Sequence, residues 1–73
     1  MVNLPHLTTR ELQVLDLISD ELSSDEIANK LRLSIHTVTT HRKKMLIKLG
    51  VKNTAGLIRK GFELGYLRLL NQS

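Results

Sequence analysis

The side chains best suited to chemistry in this 73-residue chain crowd into one stretch, SIHTVTTHRKKMLIKLGVKN, residues 34–53. It holds two of the three histidines, His36 and His41, the hydroxyls of Ser34, Thr37, Thr39 and Thr40, and five cations: Arg42, Lys43, Lys44, Lys48 and Lys52. Such a set suggests metal ligation, nucleophilic catalysis or contact with a polyanion. Metal ligation fails on geometry, because two side chains five residues apart on a helix diverge by about 140°. His6 lies outside any expected helix. A Ser-His-Asp trio can be picked from almost any such composition, but there is no glycine-rich loop and no nucleophile elbow here. No catalytic residue, metal site or cofactor is therefore expected. The absence of cysteine removes disulfides and thiolate metal sites and suits a reducing cytoplasm.

The formal net charge of +4 is unevenly spread. Residues 1–26 hold one basic residue, Arg10, against six acids, a formal charge of −5. Residues 27–73 hold the other ten Lys and Arg against Glu63 alone, a formal charge of +9. A polarised domain of this kind predicts a polyanionic partner, nucleic acid before anionic lipid. Apolar runs never exceed three residues, so no membrane span is expected. The start, MVNLPHLTTRE, does not read as a secretory signal, and a cytoplasmic location is expected.

Four helices must position these groups. Thr8-Thr9-Arg10-Glu11 and Ser23-Ser24-Asp25-Glu26 are capping boxes. The first predicts a helix over 9–21 with a stripe at Leu12, Leu15, Ser19 and Leu22, and with Leu17 and Ile18 beside it. The second predicts a short helix over 24–31 buried through Ile27, Ala28 and Leu31. Ser34 caps a helix over 35–49 that Gly50 ends, and Asn53 caps one over 54–64. No segment alternates with period two, so the chain is expected to be all-α, one domain over 1–73 with its core in 7–67 and a frayed tail at 68–73. A short helix, a tight connection and a longer basic helix form a helix-turn-helix.

At about 100° per residue, Val38, Met45 and Leu49 share the core stripe of the third helix, with Ile35 and Leu46 at its edge. His36, Thr39, Thr40 and Lys43 form a second, polar stripe well away from it. Thr37, His41, Lys44 and Lys48 lie on the flank. A DNA major groove accepts such a helix, with the outer stripe at base edges and the flank at phosphates. A membrane-surface helix would instead expose a broad apolar face with large aromatics. Lys43 suits guanine O6 or N7 unless it is merely solvated. Thr39 and Thr40 suit thymine methyls or hydrogen bonds to bases or phosphates, or simply keep the surface small. His36 suits a base edge or open solvent. Arg42 falls near the core stripe, with its guanidinium expected to reach a phosphate or an acid such as Glu26. His41 is expected half-buried in preference to a phosphate donor, and Ile47 is expected on the surface.

The segments LTTRELQVLDLI, SSDEIANKLRLSIHTVTTH, KLGVKN and GFELGYL together resemble the LuxR-type DNA-binding domain of bacterial response regulators and quorum sensors. The resemblance spans roughly Leu7 to Leu67. It implies four helices, the second and third forming the helix-turn-helix, and sequence-specific binding to double-stranded DNA as the output module of a transcription regulator. It places His36, Thr39, Thr40 and Lys43 near bases, and Lys52 and Asn53 at the backbone. The phosphate set is then Thr37, Arg42, Lys44, Lys48, Lys52 and Asn53. The chain departs from the family pattern at Thr39, where Lys is common, at Glu21, where Gly is common, at Ser24-Asp25 and at Thr54.

The last helix presents Ala55, Leu57, Ile58, Gly61, Phe62 and Leu64 over about half its circumference, wider than one core contact needs. Ala55, Ile58 and Phe62 are expected to form the face of a weak homodimer, with Gly56 or Gly61 permitting close approach. RNA polymerase is a further candidate partner. Two alternatives stand beside sequence-specific binding: a protein-interaction domain with an incidental basic face, and a DNA or anionic-surface binder without sequence preference.

Overall fold

A computed structural model describes residues 6–68 as four α-helices: α1 (Thr9–Ser19), α2 (Ser24–Leu31), α3 (Ile35–Leu49) and α4 (Thr54–Glu63). Each begins at the cap expected. The Thr8 hydroxyl accepts the Glu11 N–H at 3.1 Å while Glu11 Oε1 accepts the Thr8 N–H at 2.8 Å. The same reciprocal box joins Ser23 and Glu26. Ser34 Oγ accepts the Thr37 N–H at 3.0 Å, and Asn53 Oδ1 accepts the Gly56 N–H at 2.9 Å. These bonds satisfy donors that a helix N-terminus otherwise leaves open.

The first helix ends at Ser19, two residues short of the expected Glu21. Glu21 adopts a left-handed conformation, with φ of 68°, and the Leu22 N–H turns back to the Leu17 carbonyl. α2 and α3 close the same way through Arg32 and Gly50 and through bonds from Leu33 to Ala28 and from Val51 to Leu46. These closures satisfy carbonyls of the last turn. Only Gly50 announces itself, because glycine takes this conformation without a Cβ penalty.

α3 packs against α1, α2 and α4. Val38, Met45 and Leu49 line its buried face, with Leu7, Val14, Leu15, Ile18, Ile27, Ala28, Leu57 and Leu67 around them. The buried stripe of α1 is Glu11, Val14, Leu15 and Ile18, so the expected register of Leu12, Leu15, Ser19 and Leu22 is corrected. Leu12 and Leu22 pack only at its margin, as Leu31 does on α2. Apolar residues surround so much of α1 that periodicity alone admits both stripes; its neighbours select one. Gly61 is buried, and a Cβ there would lie 2.8 Å from Leu67 Cδ1 and 3.4 Å from Leu15 Cδ2. Its missing side chain thus seats Leu67 within the domain rather than a second subunit. Of the expected frayed tail, Arg68 is exposed and residues 69–73 lie outside the described residues.

Candidate nucleic-acid interface

The interface grows from the turn between α2 and α3. Arg32 takes the left-handed conformation and Ser34 starts α3, its Oγ lying 2.9 Å from Thr37 Oγ1. Thr37 is therefore bound into the cap. Burying Val38, Met45 and Leu49 turns the opposite side of α3 outward. His36 and Lys43 are exposed there, and Thr39 and Thr40 are half-buried. The four sequence-predicted base readers thus share one outward stripe. The Thr40 hydroxyl donates to the His36 carbonyl at 3.0 Å. Ile47 ends this side of the helix 80% exposed.

The flank residues divide. Lys43, Lys44 and Lys52 are exposed and make no hydrogen bond or ion pair among the described residues. Lys48 is committed: its Nζ lies 2.7 Å from Oε1 of Glu11, a carboxylate only 2% exposed. Burial pushes the Glu11 carboxyl up, but the hydrogen bonds from Lys48 and the Thr8 N–H, with the Lys48 charge, outweigh it and hold it below the usual range. In the free domain Lys48, expected at a phosphate, is held by this internal pair. The reason is that the core rotation of α1 brings Glu11 inward.

Arg42 is half-buried as expected, but its guanidinium donates to Thr54 Oγ1 in the first turn of α4. It does not reach Glu26, whose carboxylate binds back to its own cap through the Ser23 N–H at 2.7 Å. That bond and the Ser23 hydroxyl hold the Glu26 carboxyl below its usual range. Asn53 uses Oδ1 as a cap and sits exposed beside Lys52. His41 is half-buried, with Nδ1 shielded and unpaired among the described residues. Glu11 and Thr54, partners of two expected phosphate contacts, were not identifiable from local spacing; they lie 37 and 12 residues from those partners.

The broad arc expected on α4 also divides. Leu57 and Gly61 are buried and Ile58 packs against the core. Ala55 is exposed and Phe62 is 38% exposed. Among the described residues no three His, Asp or Glu side chains converge as a metal site, and no helix is long and apolar enough to cross a membrane.

Residues 5–60 match the family of bacterial regulatory proteins, luxR family. The chain is 44% identical over 59 residues to the uncharacterized response regulatory protein YgeK of Escherichia coli (strain K12), covering 81% of this chain and 40% of that protein. It is 46% identical over 59 residues to the transcriptional regulatory protein MctR of Rhizobium johnstonii, covering 81% and 28%. Its identity to the transcriptional regulatory protein UhpA of Escherichia coli (strain K12) is 42% over 57 residues, covering 78% and 29%. The chain thus spans less than half the length of each of these relatives. The transcription factor GerE superposes with a TM-score of 0.82 at 32% identity, covering 85% of this chain and 92% of that one. The response regulator ChrA of a heme-sensing two-component system superposes at 0.83 with 30% identity, covering 90% and 33%. Sequence, helix order and backbone agree, and the chain belongs to the luxR family of bacterial regulatory proteins as a helix-turn-helix DNA-binding domain.

Proposed function

We propose that the domain is the output module of a transcription regulator that lays α3 in the DNA major groove and reads a specific sequence. His36, Thr39, Thr40 and Lys43 approach base edges; Thr37, Arg42, Lys44, Lys52 and Asn53 approach phosphates. The observation that carries this is the division of α3: one side is core, while the opposite side holds Lys43 exposed with no partner among the described residues. The N-terminus of α3 has no acid in its first turn, so its partial positive charge adds to the basic field. Lys48 contributes a phosphate contact only if its Glu11 pair opens. The domain works in the bacterial cytoplasm, and its exposed Ala55 and Phe62 form a weak dimer contact when two copies occupy neighbouring half-sites.

The test is a gel-shift salt series with DNA selected from a random pool and with a scrambled control. Specific reading predicts that the selected site retains an advantage at every salt concentration, whereas both affinities fall as salt rises. Equal binding of the two DNAs would identify a non-specific polyanion binder. No binding to either would favour a protein partner such as RNA polymerase.

A further inference from the structure

Thr39 and Thr40 are adjacent on the outward side of α3, yet their hydroxyls stand differently. The Thr40 hydroxyl donates to the His36 carbonyl, 3.0 Å away and one turn earlier. The Thr39 hydroxyl has no hydrogen bond among the described residues. Threonine carries two heavy branches on Cβ, a hydroxyl and a methyl. With its proton donated to the backbone of its own helix, the hydroxyl of residue 40 keeps only acceptor lone pairs, and the methyl is the one apolar branch that Thr40 can offer an outside partner.

We propose that Thr40 is a specificity-determining residue that reads the C5-methyl group of a pyrimidine in the major groove, thymine in unmodified DNA, and that it does so through its methyl rather than its hydroxyl. This rests on the major-groove placement of α3 proposed above. The thymine methyl is the one apolar group that a base pair presents in that groove, and a side-chain methyl is its natural partner. Because Thr40 is already half-buried, the contact removes a small surface from water with little ordering of the side chain. Its hydroxyl proton, held by His36, makes no demand on the base. Thr39, with its hydroxyl uncommitted, remains available for a hydrogen bond to a base or phosphate.

The experiment starts from the sequence selected by the wild-type domain. Each thymine in a half-site is replaced in turn by uracil, which removes only the methyl group. Affinity is measured for wild type, Thr40→Val and Thr40→Ser, with circular dichroism confirming the fold of each. One thymine per half-site is expected to matter, its uracil form binding about fourfold more weakly, the worth of one buried methyl at roughly 0.8 kcal/mol. T40V, which keeps a methyl branch and loses the hydroxyl, should retain affinity and the sensitivity to uracil. T40S, which keeps the hydroxyl and loses the methyl, should bind about fourfold more weakly and be indifferent to uracil at that position. A cytosine placed there should bind more tightly when methylated at C5, which separates the methyl group from the rest of thymine. A clear selected sequence with no uracil-sensitive position, or with T40S behaving as wild type and T40V as the defective variant, overturns the methyl reading while leaving sequence-specific binding intact. A selection that yields no preferred sequence overturns the groove placement itself, and the proposal with it.

Discussion

Lys48 near the end of α3 and Glu11 in the first turn of α1 form an ion pair of 2.7 Å across 37 positions of sequence, with the carboxylate almost wholly buried. One oxygen, Oε1, accepts both from the lysine and from the Thr8 N–H that starts the helix. The pair therefore ties the cap of α1 to the far end of α3. Removing the lysine leaves a desolvated negative charge without its counterion.

Lys48→Ala is expected to destabilise the domain by about 1–3 kcal/mol, less than a fully buried pair because the lysine side chain is 34% exposed. Urea unfolding measures it. A variant as stable as wild type would show that the pair contributes nothing net.

The same pair sets a pH dependence. The Glu11 carboxyl titrates below its ordinary value of 4.5 in the folded domain. The unfolded chain then binds more protons than the native one as acid is added. The stabilisation from Glu11 is complete above 4.5 and is lost as pH falls through the lowered native value. Glu26 is shifted in the same direction by the Ser23 N–H and hydroxyl. Unfolding free energy should fall as the pH drops below 4.5, and more shallowly in Glu11→Gln. Parallel profiles for the two proteins would exclude Glu11 as the source.

Lys43 and Lys44 are neighbours with different expected outcomes. Lys43→Ala should cost about 1–3 kcal/mol at the selected site and relax one base position, since it stands exposed on the outward stripe of α3 proposed above to face the bases. Lys44→Ala should weaken selected and scrambled DNA alike and lower the salt slope by about one, since flank cations displace phosphate counterions. Randomised-site selection and a salt titration distinguish them. An altered base preference in Lys44→Ala with an unchanged slope would reverse the assignment of the two faces.

Glu21 holds a left-handed conformation with φ of 68° at the end of α1. For a residue with a Cβ this costs roughly 1–2 kcal/mol, part of which glycine returns as entropy in the unfolded chain. Glu21→Gly is expected to raise stability by about 0.5–1 kcal/mol with no change in DNA affinity. A lowered thermal midpoint would show that the Glu21 side chain contributes more than its backbone strain costs.

On α4, Phe62→Lys and Ala55→Glu should leave binding to one half-site intact and reduce cooperativity on two, because both positions are exposed. Ile58→Glu should instead lower stability, because Ile58 packs against the core. Undiminished cooperativity in folded Phe62→Lys and Ala55→Glu would place any dimer contact elsewhere.

The features legible in the sequence are local. Thr8, Ser23, Ser34 and Asn53 name the helix starts because a cap bonds to a backbone N–H three residues on, within reach of a pattern of four letters. Val38, Met45 and Leu49 mark the core side of α3 because few other apolar residues compete for that side, and the outward stripe of His36, Thr39, Thr40 and Lys43 follows by rotation. Features that depend on a distant partner emerge only when the helices pack. Glu11, a charged residue that spacing assigns to a cap, is also core, because Lys48 arrives from 37 residues away to neutralise it. Arg42 meets Thr54 rather than an acid because α4 begins beside it. Gly61 is a seat for Leu67 because the chain folds back past α4. The end of α1 at Ser19 was hidden because Glu21 takes a conformation that its own residue type disfavours and the surrounding fold imposes.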